Sequence, residues 1–142
     1  MQRENLVAEV STNVHAPLEE VWEALVDPAT IKHYMFGATV TSSFEVGKPI
    51  TWKGEFKGKS FEDKGTILRL EPRHLLAYSH FSPLSGERDV PENYHTVVIE
   101  LSEEGGGTHV SLKQDNNPSE ETRLHSEQNW RAVLAGLKKE VE

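Results

Sequence analysis

His80 and His95 are the residues whose type and placement best suit chemistry. Each shares the parity of apolar neighbours in a stretch that alternates like a strand. Leu76 and Tyr78 precede His80, and Val97 and Ile99 follow His95. If their strands pair, the two imidazoles come together, and Gln114 joins them from the next strand. Imidazole is the side chain suited to proton transfer near neutral pH. A few polar groups among apolar walls also orient a bound ligand. The plainer alternative is that both histidines lie at a cavity mouth and meet only water or backbone. Trp52 and Tyr78 point inward by the same alternation, as do Val97 and Leu112. The candidate ligand-binding set is therefore Trp52, Tyr78, His80, His95, Val97, Leu112 and Gln114, with no catalytic residue assigned.

Other chemistries find less support. The seven histidines (15, 33, 74, 80, 95, 109, 125) show no His-x-x-x-His spacing, so neither a metal nor another cofactor is expected. Glu55 and Glu62 are the carboxylates to weigh for acid–base work, but alternation turns Glu55 away from the Trp52 side. There is no Gly-x-Ser-x-Gly elbow, phosphate loop or dinucleotide fingerprint. The absence of cysteine excludes disulfides and thiolate catalysis. A net charge of −8 argues against nucleic acid as a partner and against anionic membranes. No apolar run approaches the length of a membrane span, and Met1–Val10 has no signal-peptide core. The expectation is a cytoplasmic protein, monomeric or weakly dimeric, with one domain over residues 1–142.

The elements that position these residues read as follows. Asn5–Val14 alternates as a strand. Ala16-Pro17 opens a helix with Val21, Trp22, Leu25 and Val26 on its apolar face, and Asp27-Pro28 closes it. A shorter helix spans Ala29–Phe36. Strands follow at Thr39–Phe44, Ile50–Lys57, Ser60–Glu71 (bent near Gly65), Leu75–Phe81, Tyr94–Ser102 and Thr108–Asp115. The Ser82–Asn93 loop, with two prolines and a glycine, would gate a cavity opening. With Glu104-Gly105 as a hairpin tip, Leu101 faces Thr108, Ile99 faces Val110, Val97 faces Leu112 and His95 faces Gln114. That places His95, Val97, Ile99, Val110, Leu112 and Gln114 on the inner face.

Pro118–Glu142 reads as one long helix. Trp130, Val133, Leu134, Leu137 and Val141 share a face, Glu120 and Glu121 sit in the first turn, and Lys138 and Lys139 near the end. Extending that face backwards meets Ser126, Arg123 and Thr122. The first half either overhangs into solvent or borders a wet cavity mouth, with Leu124 and His125 at the entrance. The order implies an α+β fold: a seven-stranded curved antiparallel sheet around a long C-terminal helix, with two short helices after the first strand. Trp22 and Trp130 are expected to anchor helices to the sheet.

Several phrases carry a resemblance. They are Val14-His15-Ala16-Pro17 with Val21-Trp22, Phe44-Glu45-Val46-Gly47-Lys48-Pro49-Ile50, Asp63-Lys64-Gly65-Thr66-Ile67-Leu68, and Glu71-Pro72-Arg73. Ser82-Pro83-Leu84-Ser85-Gly86, Pro91-Glu92-Asn93-Tyr94-His95, and Asn129-Trp130 with Leu134-Ala135-Gly136-Leu137-Lys138 complete the set. Together they cover nearly the whole chain. They resemble the START-like, or polyketide-cyclase-like (SRPBCC), superfamily with its helix-grip fold, shared with the birch pollen allergen. Within it the chain is similar to the bacterial group related to the activator of heat-shock protein 90 ATPase homologue. The resemblance implies a hydrophobic cavity for a small lipid, polyketide or flavonoid-like molecule, in a non-enzymatic or weakly enzymatic protein with a stress-response role. It leaves two alternatives: a chaperone-associated interaction module, and a cyclase or hydrolase acting on a polyketide-like substrate.

Overall fold

Alternating apolar and polar side chains in seven segments build one antiparallel sheet in the computed structural model, which describes residues 6–56 and 58–142. The strands are β1 (Leu6–Val14), β2 (Thr39–Ser42), β3 (Pro49–Phe56), β4 (Lys59–Glu71), β5 (Leu75–His80), β6 (His95–Glu104) and β7 (Gly107–Asn117). The helices are α1 (Leu18–Val26), α2 (Pro28–Tyr34) and α3 (Glu120–Val141). The sheet order is β1-β7-β6-β5-β4-β3-β2. The expected fold class is the one found. Asn5 and Lys57, at the ends of two expected strands, lie outside the described residues.

β1 and β2 form opposite edges, so the chain must cross the sheet between them. It crosses through α1 and α2, which pack on each other and on α3. Val21, Trp22, Ala24 and Leu25 bury one face of α1. Asp27 ends α1 and also caps α2, its Oδ1 accepting from the Ala29 N–H at 3.3 Å. Pro28 therefore opens the second helix as well as closing the first, because the first turn of a helix needs no N–H from it.

α3 starts where Ser119 Oγ accepts from the Thr122 N–H at 3.1 Å. Its 22 residues span roughly 33 Å. Only Val133, Leu134 and Leu137 are fully buried, all in its second half. The first half is held by polar contacts. Asn117, with no solvent exposure, donates from Nδ2 to the Leu6 carbonyl at 2.9 Å and accepts at Oδ1 from Ser126 Oγ at 3.0 Å. One amide thus joins β1, β7 and α3.

The β6–β7 register differs from the sequence expectation by two residues in the pairing. Leu101 faces Val110, Ile99 faces Leu112, and Val97 faces Gln114. The tip is Gly105-Gly106, at φ of 56° and 85°. A tight two-residue hairpin turn of this kind needs positive φ at both central positions, and glycine takes it without strain. A shift of two keeps every side chain on its face, so the inner set is unchanged.

The bend expected near Gly65 coincides with an interruption of the β4–β5 ladder. Thr66 N–H donates to the Ser79 side chain at 2.9 Å, and the register shifts between Ile67 and Arg69. A Cβ at position 65 would stand 1.7 Å from the Ser79 carbonyl oxygen. Gly65→Ala is expected to cost at least about 2 kcal/mol in urea unfolding, because backbone must move to admit the methyl. An unchanged midpoint would show that β5 yields there freely.

Candidate functional site

The apolar stripe of α3 decides where space is left. Leu134 and Leu137 together with Leu25, Ile31, Ile99 and Leu112 line a void of only about 30 Å³. Beneath the first half, where His125, Ser126 and Asn129 replace apolar residues, a cavity of about 400 Å³ opens. Of the two readings of this half-helix, bordering a cavity is the one found. Leu124 is exposed nearby in sequence, while His125 is on the wall.

Strands β3, β4 and β5 supply the floor. Trp52, Asp63, Tyr78 and His80 lie on it, with the rings of Trp52 and Tyr78 5.1 Å apart and tilted. Gln114 reaches the wall from β7 and accepts a hydrogen bond at Oε1 from Trp130 Nε1. Phe36 and Leu84 form part of the rim, exposed by 58% and 47%. Phe36 also has a positive φ of 55°, an uncommon conformation for a bulky side chain.

Four of the seven candidate residues, Trp52, Tyr78, His80 and Gln114, therefore share this wall. Leu112 borders only the small void, because the helix has closed over it. Val97 is fully buried in the core. His95 pairs with His80 across β5–β6, their rings 6.2 Å apart, but it is not part of the cavity wall. Its Nδ1 is 2.9 Å from the Asp115 carbonyl oxygen. The changed register explains the separation from Gln114, whose partner is Val97.

Asp63 is the functional candidate that the sequence reading missed. Its Oδ2 lies 2.9 Å from His80 Nε2, and both side chains are mostly shielded from solvent. The carboxylates weighed for acid–base work lie elsewhere: Glu55 is exposed, and Glu62 pairs with Lys53 at 3.6 Å on the surface. A signal for Asp63 existed. Pairing outward from Phe56 and Lys59 places Asp63 opposite Trp52, on the inward face. Trp130 was also expected as a core anchor, yet it is half-buried and walls the cavity. No group of three or more histidine, cysteine, aspartate or glutamate residues among the described residues could hold a metal.

The 82–93 loop is tied down at its far side. Asp89 pairs with Lys64 and accepts from the Tyr94 hydroxyl at 2.7 Å, while the Tyr94 ring stacks on Phe81. The lysine hydrogen bond, then that of Tyr94, holds the Asp89 carboxyl below its ordinary range. Burial pushes the Tyr78 phenol well above its usual value. Burial does the same to Tyr34, whose hydroxyl donates to the Ala24 carbonyl at 2.7 Å.

A curved antiparallel sheet gripping a C-terminal helix, with a cavity under the helix's first half, defines a START-like helix-grip protein. The family model described as Activator of Hsp90 ATPase homolog 1-like protein matches residues 15–142, and the chain belongs to that family. It is similar to a Cytophaga hutchinsonii protein of known solution structure, with 55% identity over 98% of this chain and 94% of that one, at a TM-score of 0.83. The Aha1 dimer from Colwellia psychrerythraea is 18% identical over 96% of each chain, at a TM-score of 0.74. DynU16, a protein of the dynemicin biosynthetic locus, is 18% identical over 96% of this chain and 47% of its own, at a TM-score of 0.78. The last two likenesses show the fold alone. A search of curated proteins found no match.

Two outcomes follow from this geometry. Trp130→Phe removes the indole donor and leaves Gln114 Oε1 short of a partner. It should lower stability by about 1–2 kcal/mol in thermal or urea unfolding. An unchanged midpoint would mean that water takes the donor's place. Folding also suppresses ionisation of Tyr34 and Tyr78. Their contribution to stability is intact below the unfolded phenol value of about 10 and is lost as pH rises above it. Ultraviolet titration should show these two phenolates forming only together with cooperative alkaline unfolding. Their appearance in a chain that is still folded would contradict this burial.

Proposed function

We propose that this chain, as a single helix-grip domain over residues 1–142, binds a small hydrophobic or aromatic molecule in the cavity beneath the first half of α3. The observation that carries this reading is the cavity itself. Its volume of about 400 Å³ falls within the range of roughly 300–1,000 Å³ common for small-molecule sites. Its wall combines large aromatic side chains with a few polar groups. Trp52, Tyr78, His80 and Gln114 contact the ligand, joined by Asp63 and Trp130. Leu112 and Val97 support the floor from behind, and His95 backs His80. The 82–93 loop, which presents Leu84 to the opening, admits the ligand.

No helix among the described residues is long and apolar enough to cross a membrane. We assign the protein to the cytoplasm, as a monomer or weak dimer. Catalysis on a polyketide-like substrate is a second reading, favoured by the His80–Asp63 contact on the cavity wall. A chaperone-associated role rests on the family description alone.

The test is an amide NMR titration of isotope-labelled protein with pooled fatty acids, sterols, flavonoids and other aromatics. Saturable shifts are expected at Trp52, Tyr78, Gln114, Trp130 and the 82–93 loop. Absence of shifts in every pool would remove the binding reading.

A further inference from the structure

The cavity and the small void are neighbours. Met35, Trp52, Tyr78, Trp130 and Val133 border both, and so form the wall between a space of about 400 Å³ and one of about 30 Å³. How permanent that wall is depends on which of these side chains can turn aside.

Four of them are held. Trp52 and Tyr78 are buried with their rings 5.1 Å apart, and Trp52 also meets the His80 ring at 5.1 Å. Trp130 is fixed by the hydrogen bond from its Nε1 to Gln114. Val133 is buried on α3, where a branched Cβ leaves one strongly favoured rotamer. Met35 is only half-buried, and its unbranched thioether side chain turns about several bonds and adapts to irregular space. Its backbone is secured, the N–H donating to the Ile31 carbonyl at 2.9 Å and the carbonyl accepting from the Ala38 N–H at 3.0 Å. The side chain can therefore swing while the end of α2 stays in place.

The space behind Met35 is apolar. Leu25, Ile31, Ile99, Leu112 and Leu137 are among its walls, and no charged side chain among the described residues borders it. A void of this size has room for at most about one water, and water gains nothing there without polar partners. Only an apolar group can use it, and only together with the room that Met35 vacates.

We propose that Met35 is a movable partition that sets how long a ligand this cavity accepts. A compact ligand leaves it in place. An apolar tail turns it aside and runs beneath the second half of α3 to Ile99 and Leu112. This inference rests on the binding reading above and names the residue that decides ligand length at that same site.

N-Alkyl dansylamides, from N-methyl to N-octyl, test it with one fluorescent head and tails of increasing length. Fluorescence titration gives affinity, and methyl NMR of the native chain follows Met35, Ile99 and Leu112. Beyond a threshold tail length all three residues should shift together, whereas the N-methyl compound should leave Ile99 and Leu112 unmoved. Each methylene that enters should tighten binding by up to about fourfold. Met35→Ala removes the partition, so the ratio of octyl to methyl affinity should rise at least about tenfold. Met35→Leu keeps the bulk and loses flexibility, so the ratio should fall below the native one. The methyl shifts of the native chain decide the matter should either variant fold poorly. An octyl compound that binds without shifting Ile99 or Leu112, or a ratio unchanged in Met35→Ala, would overturn the partition and leave cavity binding standing. So would a series that fails to bind while the hydrophobic pools succeed. Failure of the series and the pools together would remove the binding reading as well.

Discussion

The structure depends on a helix that is amphipathic along only half its length. Val133, Leu134 and Leu137 let the second half of α3 settle onto the sheet. There the interior closes to a void the size of a water molecule. The first half offers serine, asparagine and histidine to a floor that includes Trp52 and Tyr78. Polar side chains gain nothing by closing over such a surface without partners. The space therefore persists. A hydrophobic stripe that stops partway along α3 is the physical origin of the cavity.

Specific polar contacts keep that half-helix in place without a packed core. Asn117 ties β1, β7 and Ser126 together from a fully buried position. Gln114 and Trp130 make the second tie, across the cavity wall itself. Both anchors, Gln114 and Asn117, lie in β7, the strand that leads into α3. Hydrogen bonds of this kind set orientation more sharply than nonpolar contact does, since direction as well as distance matters. The helix is thus fixed at both ends by different means, and the opening between them keeps its shape.

The floor of the cavity is shaped by the irregularity of β4. Gly65 allows the Ser79 carbonyl to approach where any side chain would collide, and Ser79 Oγ takes over a ladder hydrogen bond. Ile67 remains buried as the register shifts just beyond it. Asp63 and His80 flank this interruption on adjacent strands, and their side chains meet at the cavity. Such a break in a ladder favours a local bend, and it falls close to the Asp63–His80 contact.

Much of this was legible in the chain itself, because period-two and helical periodicities are local properties. Alternation placed Trp52, Tyr78, His80 and Gln114 on the inward side, and the fading stripe before Trp130 marked the unusual half of α3. Face assignment even survived the two-residue difference in the β6–β7 hairpin, since parity is blind to even shifts. Local pattern could not say which inward residues would be covered. Val97, Leu112 and Gln114 read alike by alternation, yet one is core, one lines a closed void and one faces the cavity. Nor could it join Asp63 to His80, 17 residues apart, since their contact depends on the strands that carry them being paired and bent together. The sequence determined which side each residue faces, because that depends on neighbours along the chain. Tertiary structure decided which of them remain open to a ligand, because that depends on where a helix from the far end of the chain comes to rest.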